Sequence, residues 1–523
     1  MVRLTLYGGV GEIGGNKVLL EDGEIRILMD FGTAFGRQGM FFNEFLRPRP
    51  SRGLLDPMAL GLIPPLEGLY RKDLAFPGLW ERFRNRPGYR DMRRDGTAVD
   101  AVLLSHAHQD HIGDLTYLDP KVPVLTTRLT AFIYKAMQDT GKSSYEVEWA
   151  YINPRFPSEG GELRTDRRGP YITRAVEFLD GVGERRTMEF WTSSPSQKRM
   201  EYLEGARGTD VNLLWWSVDH SVPGAVGFAL ETSVGWVGYS GDIRFHGRRG
   251  GETLKFAEGL SKLGLKVLLC EGTNLEGGKG LTEEDVAERA YELTRRARGK
   301  LVVADFGPRN VERLMSFLRV AKETGRLLAV QPKDLYLLEA IHLASPWTFP
   351  CPRDLERLAL YADPKVQPKK WERELREAWW TRTVSPKHVS EDPGSFILCF
   401  SLWDANDLLD LEGVEGGTYL YSNSRAYDEE QMVDLERLRN WVRHVGLELY
   451  GDPDDSEGPV LHTSGHASGQ ELLSFVVEVG PEVLVPIHTE NPGWWRERLR
   501  GTGIKVVEPT VGRPIILDAI REV

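Results

Sequence analysis

Short apolar runs mark the first third of the chain. Arg3–Tyr7, Lys17–Leu20 and Ile25–Met29 are separated by Gly-rich turns, a pattern that predicts β-strands. Ala98–Leu104, Ala225–Leu230, Gly235–Tyr239 and Leu265–Cys270 read the same way. From about Thr282 the period changes. Thr282–Arg298 has the spacing of an amphipathic helix, followed by a strand over Leu301–Phe306, a helix over Asn310–Thr324 and a strand over Leu327–Gln331. A further strand is predicted over Ser395–Ser401. This alternation predicts a parallel α/β domain. The short-strand texture is expected to return near Val460.

Length changes the picture first. At 523 residues the chain is expected to fold as two to four domains, at roughly 100–200 residues each. No run approaches the ~18 apolar residues of a membrane helix. Met1–Leu20 lacks a basic segment followed by an apolar one, so no secretory leader and no membrane partner are expected. Cys270, Cys351 and Cys399 form no CxxC pair, which argues against a zinc ribbon or a disulfide framework. The expectation is a cytoplasmic protein.

The net charge of −11 excludes a polybasic chain but not a local basic surface. Residues 36–97 are rich in Pro, Gly and Arg and read as a long insertion. Between Arg47 and Arg94 there are 11 Lys and Arg against 5 Asp and Glu, interleaved with Tyr70, Phe76, Trp80, Phe83 and Tyr89. Arginines on phosphate with aromatics stacked on bases is one reading. A solvated surface insertion is the other.

The densest chemistry is Ser105-His106-Ala107-His108-Gln109-Asp110-His111, directly after a predicted strand. Alternate residues of an extended segment point the same way, so His106 and His108 can reach one metal ion. Asp110 and His111 begin the next turn and can reach a second. Three of the chain's 11 histidines and an aspartate within this stretch read as a metal site. Four residues cannot fill two ions. His220, Asp242 and His488 each stand where an apolar run meets a polar loop, and each reads either as a ligand or as a turn residue.

These segments together resemble the successive motifs of the metallo-β-lactamase superfamily, with Asp30 in Ile27-Leu28-Met29-Asp30-Phe31-Gly32 as the early supporting aspartate. The resemblance implies one metal on His106, His108 and His220, another on Asp110, His111 and His488, and Asp242 bridging them. It implies two divalent cations, zinc first, with manganese or magnesium as alternatives. A narrower resemblance is to the β-CASP nucleases. Cys270-Glu271-Gly272-Thr273-Asn274 resembles their acidic motif, and Ser464-Gly465-His466-Ala467-Ser468 and Pro486-Ile487-His488-Thr489-Glu490 their histidine motifs. Gly8-Gly9-Val10-Gly11-Glu12-Ile13-Gly14-Gly15-Asn16, Thr127-Arg128-Leu129-Thr130 and the run from His462 to Ser468 are similar to the RNase J branch, though without room for that branch's extra C-terminal domain.

The fold so implied is an α/β protein: a metallo-β-lactamase αββα sandwich with an inserted parallel α/β β-CASP domain. Its segments would be 1–280, with the insertion 36–97, then 281–449 for the inserted domain and 450–523 for the return. The activity implied is metal-dependent hydrolysis of RNA phosphodiester bonds, exo- or endonucleolytic. Asp110 would orient the attacking water. His466, hydrogen-bonded to Glu271, would protonate the leaving 3′-oxygen. His462, Ser464 and Ser468 would cradle a phosphate, and Arg309, Ser422, Ser424 and Arg425 would contact the strand. The expected partner is single-stranded RNA, with a homodimer also expected as possible. A DNA nuclease and a non-catalytic RNA-binding scaffold are the competing readings. A small-molecule metallo-hydrolase shares HxHxDH but lacks the inserted domain and the His466 motif.

Overall fold

The computed structural model describes residues 1–519 apart from 44, 197, 204–210, 279, 308 and 427–428. It divides into two compact units. The first comprises Met1–Phe245, Arg249–Gly278 and His466–Val523, and the second His246–Arg248 and Lys279–Gly465.

The first unit is built on two sheets. One has seven strands in the order Val176–Phe178, Val124–Thr126, Ala101–Leu103, Ile25–Met29, Lys17–Asp22, Val2–Gly8 and Pro514–Ile516. The other has six, in the order Leu213–Ser217, Val226–Thr232, Gly235–Tyr239, Leu265–Cys270, Val483–Pro486 and Lys505–Val506. Alternation along each strand sends one set of side chains into the layer between the sheets. Leu4, Leu6, Val18, Leu20, Ile27 and Met29 meet Phe228, Leu230, Val237, Val267, Leu269 and Val485 there. Fully burying each such side chain stabilises by roughly 1.5–3 kcal/mol. Helices Gly250–Ser261 and Gly469–Val479 cover the far face of the six-stranded sheet, where Phe256, Leu260, Leu472 and Phe475 pack on Ala229, Leu268 and Leu484. This is the metallo-β-lactamase sandwich. Of the strands predicted from short apolar runs, Ile25–Met29, Gly235–Tyr239 and Leu265–Cys270 coincide with the observed bounds, most others recur within a residue or two, and Ala98–Leu104 narrows to Ala101–Leu103.

Stretch 36–97 is packed rather than loose. Leu66–Glu67 pairs with Arg90–Asp91, and Tyr70, Phe76 and Phe83 are buried. Tyr70 stacks on Trp80, while Arg52 and Arg82 lie over the Phe76 ring. Most of the arginines close ion pairs within the unit, such as Arg71 with Asp73 and Glu148, Arg84 and Arg93 with Glu67, and Arg90 with Glu21. The expectation of base-stacking aromatics is therefore corrected for Tyr70, Phe76 and Phe83. Their apolar surface is satisfied inside the fold.

The second unit carries seven parallel strands in the order Thr383–Val384, Leu358–Tyr361, Leu327–Val330, Phe396–Cys399, Val302–Asp305, Thr418–Tyr421 and Glu448–Tyr450. Helices Glu283–Arg296, Val311–Glu323, Pro332–Ala344 and Glu429–Val445 connect them. The first is started by a capping box between Thr282 and Asp285. The strands are near-continuous apolar runs, as parallel strands buried on both faces require. The unit extends to Gly465 rather than ending at 449. No strand resumes near Val460 among the described residues. That segment is tied down through its carbonyls: Val460 accepts from Arg289, and Leu461 accepts from Arg313 and from the Ser422 hydroxyl. Among the described residues, no helix is long and apolar enough to cross a membrane.

Candidate metal centre

Every residue expected to hold metal falls in the first unit, at strand ends. His106, His108, Asp110 and His111 follow Ala101–Leu103. Asp242 follows Gly235–Tyr239, and His488 follows Val483–Pro486. His220 lies between Leu213–Ser217 and Val226–Thr232. Positions remote in sequence converge because parallel strands deliver their carboxyl ends to one edge.

The convergence makes two overlapping groups. His106, His108, His220 and Asp242 form one, and Asp110, His111, His488 and Asp242 the other, with ligand atoms in each group within 4.8 Å of one another. Asp242 is common to both. Its Oδ2 lies 3.1 Å from His111 Nε2, 3.4 Å from His106 Nε2 and 3.8 Å from His220 Nε2. Its Oδ1 lies 3.9 Å from His488 Nε2, which is 3.1 Å from Asp110 Oδ2. His108 Nδ1 is 3.2 Å from His106 Nε2 and 3.0 Å from His220 Nε2.

Whether these residues fit metal can be judged from what their far sides do. His111 Nδ1 is held by Asp30 at 2.7 Å, His106 Nδ1 by Ser105 Oγ at 3.0 Å and His488 Nδ1 by Thr273 Oγ1 at 2.8 Å. Each bond fixes a ring and aims its Nε2 at the centre, the arrangement typical of metal-binding histidines. His111 Nε2 and Asp242 Oδ1 are buried without a hydrogen-bond partner. Unmet polar atoms at such depth are costly. Imidazoles and carboxylates facing one point are the donor set of zinc and related divalent ions, so the residues fit.

The charges are strongly interdependent. Burial and the neighbouring imidazoles push His106 well below its ordinary range, and burial takes His220 down to about 3. Burial opposes charge on His111 as well, but Asp242, Asp30 and Asp110 outweigh it and hold that imidazole well above its usual value. Asp110 and Asp242 are held low against burial, Asp110 by His111 and His488, Asp242 by His111, His488 and His106.

Beside the centre stands a histidine–carboxylate pair. His466 Nδ1 is 2.9 Å from Glu271 Oε2. Glu271 is fully buried and also accepts from the Ile243 amide and the Thr273 hydroxyl. Burial opposes the imidazolium, but Glu271 and Asp242 raise His466 to about 9. Asp242, Glu271 and His466 form a third group with metal-ligating geometry.

Sequence reasoning missed the scaffold beneath this edge. The Asp110 carbonyl accepts from the Gly15 and Asn16 amides, the His111 carbonyl from Phe31, and the Gln109 carbonyl from Thr33. The Gly9 carbonyl accepts from the His488 amide. Gly14, at φ 79°, approaches Asp110 so closely that a Cβ would sit 2.7 Å from the Asp110 Cβ, and one at Gly32 would collide with the Asp110 carbonyl. The Gly-rich N-terminal run was the visible signal. Lys17 bonds the Gly32 carbonyl and pairs with Asp114 at 2.8 Å, both buried.

The expected strand-contacting residues are divided between the two units. Ser468 lies in the first unit, where its hydroxyl completes a capping box with Glu471 and starts helix Gly469–Val479. That takes it out of the expected phosphate cradle. Arg309, Ser422, Ser424, Arg425, His462 and Ser464 belong to the second unit. Ser422 is buried, accepts from Arg313 and donates to the Leu461 carbonyl, so it too is structural. His246 Nε2 bonds the Ser464 carbonyl at 2.9 Å.

Comparison with known proteins agrees with this geometry. Residues 73–191 match the metallo-beta-lactamase superfamily, and residues 459–509 match the Zn-dependent metallo-hydrolase RNA specificity domain. Ribonuclease J of Mycoplasma pneumoniae is 21% identical over 93% of this chain and 68% of its own length. Ribonuclease J of Mycobacterium tuberculosis is 24% identical over 95% of this chain and 69% of its own. A solved protein of unknown function from Enterococcus faecalis V583 superposes with a TM-score of 0.67 at 20% identity, covering 98% of this chain and 99% of that one, which speaks to the fold alone. The paired sheets and converging histidines thus stand in a chain that matches the metallo-beta-lactamase superfamily over residues 73–191 and the Zn-dependent metallo-hydrolase RNA specificity domain over residues 459–509, and that is similar to ribonuclease J across most of its length.

Proposed function

We propose that this protein is a two-metal ribonuclease that hydrolyses phosphodiester bonds of single-stranded RNA. The observation that carries the reading is the pair of ligand groups sharing Asp242, with His466–Glu271 beside them. Two divalent cations in such a site supply Lewis acidity and an activated water at neutral pH. His106, His108 and His220 would hold one, Asp110, His111 and His488 the other, and Asp242 would lie between. The nitrogen-rich donor set favours zinc, with manganese next.

The chain's own groups supply the rest. Asp110 orients the attacking water and accepts its proton. His466 is kept protonated by Glu271 and gives that proton to the leaving 3′-oxygen. The match to the RNA specificity domain over residues 459–509 supports RNA over DNA.

The test is to incubate purified protein, with Zn²⁺ or Mn²⁺, with RNA bearing a 5′-monophosphate or a 5′-hydroxyl. Cleavage of RNA is expected. Mononucleotides released only from the phosphorylated end identify 5′-exonuclease action, and internal fragments from both identify endonuclease action. Cleavage of DNA without cleavage of RNA sinks the proposal. Absence of both cleavage and bound metal leaves the scaffold reading.

A further inference from the structure

The second unit contains a cavity of about 160 Å³ lined by Asp305, Ser401, Trp403, Asn423, Ser424 and Arg425 among others. Its position follows from the sheet. Asp305 ends one strand, Ser401 follows Phe396–Cys399, and Asn423 follows Thr418–Tyr421. Strands Val302–Asp305 and Thr418–Tyr421 are neighbours, yet the chain leaves the first toward Leu327–Val330 on one side and the second toward Glu448–Tyr450 on the other. In open parallel sheets, the crevice outside the strand ends at such a reversal is where ligands bind.

The lining has an unusual chemistry. Asp305 is 2% exposed, and among the described residues no cation is within ion-pair distance of its carboxylate. It accepts from Tyr419 Oη at 2.7 Å and from Asn423 Nδ2 at 2.6 Å. A carboxylate offers about four acceptor positions, so two donors do not saturate it. Donation from Asn423 Nδ2 turns that amide's acceptor oxygen away from Asp305. Burial without a cation pushes Asp305 up to about 7. At the rim, Trp403 is left 73% exposed, and Arg425 is exposed with no carboxylate within ion-pair distance among the described residues.

The occupant must therefore be small, planar and a hydrogen-bond donor on its edge, with an anionic group next to it. The volume is below the roughly 300–1,000 Å³ of pockets for drug-sized molecules and suits one ring system. An exposed tryptophan beside a cavity is the kind of face on which bases stack.

We propose that this cavity takes one amino-bearing nucleobase of single-stranded RNA. The base stacks on Trp403, its exocyclic amino group donates to Asp305 and Asn423, and Arg425 contacts the neighbouring phosphate. Adenine, cytosine and guanine carry that amino group and uracil does not. The site would give the proposed ribonuclease a base preference that its metal centre, which faces only the phosphodiester, cannot supply. The assignment rests on the ribonuclease reading.

Binding to the metal-loaded full-length protein tests it, using fluorescence anisotropy with 2′-O-methyl phosphorothioate oligo(A), oligo(C) and oligo(U), which resist hydrolysis. Oligo(A) and oligo(C) are expected to bind about tenfold tighter than oligo(U), and Trp403→Ala to weaken binding of oligo(A) and oligo(C) about tenfold. Asn423→Ala, at a half-buried loop position, should bring the three within about twofold of one another. Wild-type protein binding all three alike overturns the proposal, as does Trp403→Ala binding like wild type or Asn423→Ala keeping the preference. If the protein cleaves no RNA but shows the expected preference, the cavity assignment stands and the ribonuclease reading falls. Cleavage without the preference gives the reverse.

Discussion

Asp30 and His488 are the two non-glycine residues with positive φ among those described, at 54° and 52°. Such backbones are disfavoured for L-residues and persist where surroundings hold them. Asp30 is held by the Ser105 amide and hydroxyl, Tyr239 Oη and His111 Nδ1, so its carboxylate orients the imidazole that faces Asp242. His488 is held by the Gly9 carbonyl and Thr273 Oγ1. The residue whose removal separates chemistry from metal binding is His466. His466→Ala should retain both metals, measured by elemental analysis, and lower kcat roughly 10²- to 10⁴-fold, the range for loss of one general acid. Loss of metal in that variant would place His466 among the ligands, alongside Asp242 and Glu271. The seven metal-ligand candidates each stand where an apolar run meets a polar loop, whereas His466, in the Gly-rich stretch Ser464-Gly465-His466, and its pairing with Glu271 came from the resemblance to the β-CASP motifs. Ser105, Thr273 and Tyr239 were not read as part of the site, since a hydroxyl that orients a ligand has no sequence pattern of its own.

At the scale of elements, loops are positioned by buried charge. Arg313, on helix Val311–Glu323, is fully buried. It pairs with Glu283 on helix Glu283–Arg296 and donates to the carbonyls of Ser422 and Leu461. One guanidinium thus fixes the two loops that carry Ser424 and His462. Arg313→Ala removes the guanidinium paired with the buried Glu283, and the second unit is expected to lose roughly 3–5 kcal/mol. Urea unfolding checks this, and a loss under about 1 kcal/mol would mean water reaches Glu283. The helices themselves were readable from their period, and the structure starts them with caps at Thr282 and Asn310. The end of the second unit was not. Segment 451–465 has no periodicity, and its place is set by carbonyls that accept from side chains remote in sequence.

Across the whole molecule, the two units should answer metal differently. All the ligand candidates lie in the first unit. A cation bound only by the folded state stabilises it by several kcal/mol once its concentration far exceeds Kd. Chelation should therefore lower the calorimetric transition of the first unit by several degrees and leave that of the second in place. Equal shifts in both, or none in either, would contradict the site. In the first unit the two ends of the chain meet, with Pro514–Ile516 pairing Val2–Gly8.

What the sequence determined by itself was local. Strand and helix periods, glycine turns and the boundary positions of histidines and acids are properties of neighbouring residues, and the histidine–aspartate cluster among them read as a metal site; the resemblance of the motifs, not the periods, implied a metallo-β-lactamase hydrolase. Tertiary structure decided everything that depends on which donors meet which acceptors. It made Asp242 common to both ligand groups, engaged Ser422 and Ser468 in structural bonds, and buried Tyr70, Phe76 and Phe83 inside stretch 36–97. It also left the buried Asp305 with no cation at ion-pair distance among the described residues, in a cavity that an exposed tryptophan lines. The physical reason is that periodicity fixes the direction of a side chain relative to its own backbone, whereas hydrogen bonds and ion pairs depend on positions that only the packed sheets bring together.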